Sequence, residues 1–206
     1  MELLGERWTL LILRELMLGP RRFGAIRAEL PGISANVLTQ RLESLTAAGL
    51  VRKRTLPPPA SAQVYELTPW GYEAEPIVSI IGRWAARSPR HDPTLAFSAA
   101  SLMLSLKTMF SPALAGRARV KVGFRLGSES TMVEIDGDRL TFRRTEDFAG
   151  ADLVFTGEAR TMAAFIYGGQ PLAALEGAGA LTVEGDRALA ERMPAWFPLP
   201  PKAEAA

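Results

Sequence analysis

Residues 34–68 read SANVLTQRLESLTAAGLVRKRTLPPPASAQVYELT and decide the fold of the first half of the chain. Ser34 is a good N-cap, and Gly49 stands where a left-handed C-cap is expected, so the stretch between them predicts a helix running to Ala48. Three leucines fall within a narrow arc of this helix and predict its buried face: Leu38, Leu42 and Leu45.

The opposite face of this helix carries side chains that suit the edges of DNA bases. Asn and Gln bond adenine bidentately, and Thr contacts the thymine methyl group. A helix at about Arg22–Leu30 precedes it across the turn Pro31-Gly32, and two helices joined by a short turn fit the major groove. A merely solvated face would show the same pattern. The polar positions are Asn36, Thr39, Gln40 and Glu43.

The segment after this helix predicts a basic hairpin. Leu50–Leu56 looks like a strand, Pro57–Ala62 like a turn-rich loop and Gln63–Thr68 like the returning strand. A basic strand is usually just a solvated edge. Directly after a helix-turn-helix, however, it forms a wing beside the DNA backbone, where cations neutralise phosphates. The wing cations are Arg52, Lys53 and Arg54.

Composition and charge set wider bounds. With 206 residues and 48% hydrophobic content, the chain can form one large or two small packed domains. The absence of cysteine excludes disulfides and thiolate chemistry, and makes the cytoplasm the expected compartment. Residues 1–90 hold 12 Lys/Arg against 8 Asp/Glu (net +4), and residues 91–206 hold 12 against 14 (net −2). The basic excess in the first half suits a polyanionic partner.

The proline-bearing segment Ser88–Thr94 predicts a linker, which gives domains of residues 1–90 and 91–206. Before it, Glu2–Leu18 predicts a first amphipathic helix; after it, the tail Pro198–Ala206 looks frayed. Between linker and tail the predicted helices are Thr94–Phe110, Thr161–Tyr167, Pro171–Glu176 and Arg187–Trp196. The predicted strands are Arg119–Leu126, Thr131–Ile135, Leu140–Arg144, Leu153–Thr156 and Leu181–Glu184, with a tight hairpin turn at Asp136–Asp138.

Three motifs resemble the HxlR family of bacterial winged-helix regulators over about residues 3–87. They are GERWTLLILREL, GPRRFGAIRAELPGISANVLTQRLESLTAAGLV and VYELTPWGYEAEPIVSIIGRW. The resemblance implies a homodimer whose interface is formed by the first helix and a helix at about Trp70–Arg87. It also implies a recognition helix at Ser34–Ala48. Relatives often begin with extra residues and a cysteine, which this chain lacks, so thiol sensing does not carry over.

The predicted partner is therefore double-stranded DNA. The predicted DNA-binding residues are Ser34, Asn36, Thr39, Gln40, Arg41, Arg52, Lys53 and Arg54.

Two stretches of the second half resemble the sterol carrier protein type-2 domain over about residues 95–198. They are VEIDGDRLTFRR and ADLVFTGEARTMAAFIYGGQPLAALEGAGALTVEGDRALAERMPAWFP. The resemblance implies a mixed five-stranded sheet with helices over one face and an apolar molecule or lipid bound between them. Ordinary core packing would place the same side chains inside. The predicted ligand-binding residues are Met109, Phe165, Ile166, Met193, Trp196 and Phe197.

The sequence thus predicts an α+β fold, with an N-terminal winged helix-turn-helix followed by a sterol-carrier-like domain whose five-stranded mixed sheet is covered by helices. Three functions compete: a regulator responsive to an apolar ligand, an apolar carrier whose first domain only dimerises, and an enzyme. The enzyme is the weakest, because no catalytic motif, metal site or cofactor site is recognisable and the only histidine, His91, lies in the predicted linker. No stretch approaches the roughly 18 apolar residues of a membrane helix. Sequence-specific operator binding would separate the regulator from the other two.

Overall fold

The computed structural model describes residues 4–58 and 61–204, which divide into two compact units, one up to Ile80 and one from Ile81. The division lies inside a helix, whereas the sequence places the boundary in the linker that follows. Among the described residues, no helix is long and apolar enough to cross a membrane.

The first unit has the order helix, helix, helix, hairpin, helix. Its elements are α1 (Thr9–Leu16), α2 (Phe23–Ala28), α3 (Ala35–Ala47), β1 (Val51–Thr55), β2 (Gln63–Leu67) and α4 (Pro69–Tyr72). Helix α5 (Glu75–Ala85) begins in this unit and ends in the second.

Helix α3 forms as its sequence predicts. The Ser34 hydroxyl accepts a hydrogen bond from the Val37 amide at 3.2 Å, and Gly49 adopts the left-handed conformation with φ +78°. Both ends of the helix are therefore capped by the side chain and the backbone expected there. The predicted buried face is confirmed, since Leu38, Leu42 and Leu45 are all buried.

The predicted hairpin is confirmed as well. Strands β1 and β2 pair antiparallel, with Val51 opposite Leu67 and both side chains buried at its base. Two residues of the predicted loop, Pro59 and Ala60, lie outside the described residues. Arg21 adds to the free edge of β2: its amide donates to the Tyr65 carbonyl at 2.9 Å and its carbonyl accepts from the Tyr65 amide at 2.8 Å.

A buried ion pair joins the end of α1 to this edge. Arg21 Nη1 lies 3.1 Å from Glu15 Oε2, and both side chains are almost completely inaccessible to solvent. Arg14 Nη2 approaches the other carboxylate oxygen at 2.9 Å. The desolvated carboxylate is thus held by two guanidiniums, one on its own helix and one on the segment that pairs with β2.

Two predicted helices of the first unit differ from the structure. Helix α1 begins at Thr9 rather than at Glu2 (residues 1–3 lie outside the described part), and Gly5 disfavours an earlier start because glycine is a poor helix former. The predicted helix Trp70–Arg87 is two helices, α4 and α5. Pro76 explains the break, because it has no amide hydrogen to donate to the preceding turn and is tolerated only in a first helical turn.

The second unit contains a five-stranded mixed sheet, as predicted. Its strands are β3 (Arg119–Leu126), β4 (Glu129–Asp136), β5 (Arg139–Arg144), β6 (Leu153–Gly157) and β7 (Leu181–Gly185). They lie in the order β5-β4-β3-β6-β7, with β3 and β6 parallel and all other neighbours antiparallel. The predicted hairpin turn joins β4 to β5 and has Gly137 at φ +62°. The helices of this unit are α6 (Ala99–Met109), α7 (Pro112–Ala115), α8 (Ala159–Ile166), α9 (Leu172–Gly177) and α10 (Arg187–Arg192).

The two faces of this sheet differ in polarity. On one face Phe124 stacks against Phe155 at 5.6 Å between ring centroids, and Phe165 of α8 packs on Phe155 at 5.8 Å. The other face carries cross-strand ion pairs, such as Lys121 with Glu134. This alternation follows from the two-residue period of a strand and places the core between the sheet and its helices.

Three predictions for the second unit are corrected. Helix α6 begins after Ser98, whose hydroxyl accepts from the Ser101 amide at 3.1 Å, and not at Thr94. The closing helix ends at Arg192 and continues as a 3₁₀ turn, Met193–Trp196, because Pro194 interrupts its hydrogen bonding. The tail, which the sequence predicts to be frayed, is bonded to the rest of the unit up to Ala203, whose amide donates to the Arg87 carbonyl at 2.8 Å. The last two residues lie outside the described part.

We expect Glu15→Ala to lower the free energy of unfolding of the first unit by about 3 kcal/mol, because it removes a carboxylate partner of the buried Arg21 guanidinium. Urea denaturation followed by circular dichroism measures this change. Glu43→Ala, at an exposed helical position, is the control and should change stability by less than about 0.5 kcal/mol. Equal losses in the two variants would contradict the assignment.

Candidate nucleic-acid interface and apolar site

The face of α3 opposite its leucines is open to solvent. Asn36, Thr39 and Gln40 are all exposed there, while Leu38 and Leu42 anchor the helix from behind. An exposed run of amide and hydroxyl groups on a helix held rigidly by its other face can enter a major groove without any rearrangement.

Two other predicted α3 contacts already have intramolecular partners. The Ser34 hydroxyl is the N-cap acceptor, which leaves its own hydrogen as a donor. Arg41 is half-buried, and its Nη2 lies 3.3 Å from Glu6 Oε2. Arg41 therefore positions α3 against the segment before α1, and any phosphate contact by Arg41 has to compete with Glu6.

The three cations of the wing lie on different faces of the hairpin. Lys53 stands opposite Tyr65, and its ammonium lies 5.7 Å from the centre of the Tyr65 ring. Arg52 and Arg54 point to the other face, since side chains alternate along a strand. A DNA backbone running along one face of the wing therefore meets either the arginine pair or Lys53.

Glu66 joins the two wing arginines. It stands opposite Arg52 in the hairpin; Arg52 Nε lies 2.6 Å from Glu66 Oε1, and Arg54 Nε lies 2.8 Å from Glu66 Oε2. The Glu66 side chain is only 8% exposed, whereas those of Arg52 and Arg54 are 63% and 43% exposed. Burial raises the pKa of Glu66, but the hydrogen bonds from Arg54 and Arg52 outweigh it and hold that pKa below its ordinary value.

Sequence reasoning did not identify Glu66. Its signal is an acidic residue on the strand opposite two cations spaced two apart. That signal can be read only once the register of the hairpin is known, and a six-residue loop with three prolines does not define a register.

The six predicted ligand-binding residues are all buried in the second unit: Met109, Phe165, Ile166, Met193, Trp196 and Phe197. The structure brings part of this set together. Helix α8, which ends with Phe165 and Ile166, packs against the 3₁₀ turn that carries Met193 and Trp196. At the end of α6, Phe110 contacts Phe197 with 5.9 Å between ring centroids.

The described residues contain no group of three or more His, Cys, Asp or Glu side chains arranged to hold a metal ion. The chemistry that the first unit offers is hydrogen bonding from α3 and cationic contact from the wing. Two helices joined by a short turn, with a polar exposed second helix and a basic hairpin directly after it, define a winged helix-turn-helix DNA-binding domain.

Comparison with known proteins gives the family. Residues 3–92 match the HxlR-like helix-turn-helix family. The chain is 37% identical over 84 residues to YvaP, an uncharacterized HTH-type transcriptional regulator of Bacillus subtilis, covering 41% of this chain and 78% of YvaP. It is 36% identical over 83 residues to the HTH-type transcriptional regulator YodB of the same organism, covering 40% of this chain and 74% of YodB. The chain belongs to the HxlR-like family and is a DNA-binding transcriptional regulator.

A solved structure, the reduced form of YodB, is also similar to this chain, at 34% identity and a TM-score of 0.40. It covers 44% of this chain and 90% of the YodB chain. The family assignment rests on the sequence matches, which lie in the first half of the chain.

We expect variants of the helix and of the wing to separate base recognition from phosphate binding. Asn36→Ala and Gln40→Ala should relax sequence preference, since a lost bidentate base contact costs about 1–3 kcal/mol of discrimination. Arg52→Ala and Arg54→Ala should weaken binding to all sequences and each lower the salt slope by about one. Binding selections from random DNA and salt titrations measure the two effects. Wing variants that change sequence preference but keep their salt slope would contradict this division.

Proposed function

We propose that the protein binds a two-fold-symmetric DNA site as a homodimer, and that an apolar small molecule or lipid bound by its second half changes that binding. In this proposal residues 1–90 are the DNA-binding and dimerisation domain. Residues 91–206 are a sterol carrier protein type-2-like domain. The observation that carries the proposal is helix α5, which has an exposed apolar stripe and whose last turn, within the second unit, is bonded to α6 through Arg83.

The stripe on α5 has the form of a dimer interface. Ile77, Ile80, Ile81 and Trp84 follow the spacing that puts residues on one side of a helix, and no residue of α5 is buried. Trp84 is 72% exposed and Ile80 is 68% exposed. A second copy of the chain is the partner we propose, because the same stripe on both copies is self-complementary about a two-fold axis. A dimer also presents two recognition helices to two half-sites.

We expect Ile80→Asp to convert a dimer into a monomer at micromolar concentration, because two carboxylates would have to be buried in the interface. Size-exclusion chromatography with light scattering measures the mass. Leu114→Asp is the control: it also replaces an exposed aliphatic side chain with aspartate, but in the second unit, and should leave the dimer intact. A monomeric wild-type protein, or an Ile80→Asp variant that stays dimeric, would contradict the proposed interface.

The second unit suits a ligand that is mostly apolar but has a polar group. The six buried candidate residues offer thioether, aromatic and aliphatic surface, which adapts to flexible apolar guests. Thr131 lies on the same sheet face as Phe124, its register partner, and its buried Oγ1 has no hydrogen-bond partner among the described residues. An unsatisfied buried hydroxyl is costly, and the polar group of a lipid or acyl compound would satisfy it.

Both ends of this candidate site are connected to α5. On one side, Arg83 Nη1 donates to the Thr108 carbonyl at 3.3 Å and lies 3.9 Å from the sulfur of Met109, a proposed ligand contact. On the other side, Phe197 leads into the proline-rich tail, where Lys202 Nζ donates to the carbonyls of Ala86 and Ser88 at 3.0 and 3.1 Å. A cation at these carbonyls also complements the negative end of the helix.

These contacts support the route that we propose for the effect of the ligand on DNA binding. A guest that displaces Met109 or the closing turn shifts a bonding partner of Arg83 or of the tail, and therefore changes how α5 is held. Any such coupling is reciprocal: a typical value of about 1–3 kcal/mol changes operator affinity roughly 5–150-fold, and DNA changes ligand affinity by the same factor.

We expect Lys202→Ala to reduce the effect of a ligand on DNA affinity, because it removes the tail's hold on the end of α5. The DNA would be a duplex selected from random sequence by the full-length protein, and the ligand whatever native mass spectrometry finds bound, with palmitate as the first probe. Lys121→Ala, a surface variant on β3, is the control. Equal DNA affinity of the wild-type protein with and without bound ligand would contradict the proposed coupling. It would indicate a carrier domain that is linked to the DNA-binding domain without regulating it.

A further inference from the structure

We infer that Glu66 is a positioning residue for DNA binding, which fixes Arg52 and Arg54 side by side as one phosphate-binding pair. The inference rests on the proposed role of the wing arginines in contacting the DNA backbone. It concerns a residue that makes no DNA contact of its own, since its side chain is 8% exposed beneath the two guanidiniums.

The geometry explains how one carboxylate orders two cations. Each of its oxygens accepts from the Nε of a different arginine, at 2.6 and 2.8 Å. A guanidinium has five N–H donors in a rigid plane, so a bond through Nε fixes that plane and leaves the edge formed by the two terminal nitrogens for another acceptor. Because Arg52 and Arg54 are two residues apart on one strand, both planes are fixed on the same face of the hairpin.

Two opposing effects of Glu66 on DNA binding have to be weighed. Its negative charge repels phosphate, but at a greater distance than the guanidiniums attract it, and with salt screening over about 8 Å. Its hydrogen bonds remove side-chain freedom from both arginines before DNA arrives, so that freedom is not lost on binding. The second effect acts on two long side chains at once, and we infer that it is the larger.

The two effects predict opposite results for Glu66→Gln, which removes the charge but keeps the size. If Glu66 positions the arginines, the variant binds a 30-base-pair mixed-sequence duplex about tenfold more weakly than wild type. If Glu66 only neutralises charge, the variant binds the duplex more tightly and its salt slope rises by about one. Fluorescence polarisation across a salt series measures both quantities on the full-length protein, and sequence-independent DNA is sufficient because phosphate contacts do not read bases.

A second background shows whether Glu66 acts through the arginines. In Arg52→Gln/Arg54→Gln the amides still donate to Glu66, so its buried carboxylate is not left without partners. Adding Glu66→Gln to this double variant should not weaken binding further. Equal weakening in both backgrounds, or tighter binding in the wild-type background, would overturn the inference. A double variant that binds as well as wild type would overturn the wing contact itself, and the inference with it.

Two more variants guard against a change in folding. Arg52→Lys/Arg54→Lys keeps Glu66 and every charge, but an ammonium lacks the second edge of N–H donors that a guanidinium offers to phosphate. We expect this double lysine variant to bind DNA more weakly as well. Glu134→Gln makes the same charge change at a side chain that is 40% exposed in the second unit, and should leave affinity within about twofold of wild type. Unaltered affinity in the lysine variant would contradict the need for fixed guanidiniums.

Discussion

The ion pair between Glu15 and Arg21 connects the helical part of the DNA-binding domain to its wing. The two side chains meet at 3.1 Å in the interior of the first unit, and the backbone of Arg21 is the bridge partner of Tyr65 on β2. Buried ion pairs add little stability compared with apolar packing, but breaking one is costly, so they favour a single arrangement over its alternatives. Here that arrangement sets the position of β2, and with it the position of Glu66 next to Tyr65.

Local signals in the sequence predicted the ends of helices and strands wherever a single residue determines them. Ser34 and Gly49 bracket α3 because an N-cap and a left-handed C-cap each depend on a single residue and its neighbours. Strand β3 could be predicted in the same way, because apolar and polar residues alternate strictly from Arg119 to Leu126. Pro76 could have been used in the same way, since its missing amide hydrogen is what separates α4 from α5.

Contacts between distant segments could not be predicted, because they depend on register or on tertiary packing. Glu66 pairs with Arg52 across a loop whose sequence does not set the register. The tail looked frayed because prolines and a lysine have no local partner, yet Lys202 bonds to carbonyls more than a hundred positions earlier in the chain. Burial of Met193 and Trp196 also follows from an ordinary core, so only a ligand can distinguish the two interpretations.

In the proposed dimer, helix α5 has two roles, and its periodicity places them on different sides of the helix. At 100° per residue, Ile77, Ile80, Ile81 and Trp84 form one side, and Arg83 lies just beyond the edge of that side. In the proposed dimer the apolar side is buried, while Arg83 remains bonded to the end of α6. Packed faces exchange between discrete arrangements instead of deforming continuously. A small displacement of Thr108, transmitted through Arg83, would therefore change how the apolar side of α5 packs against its partner. In the proposed dimer such a change would alter the separation of the two recognition helices, which the spacing of DNA grooves constrains.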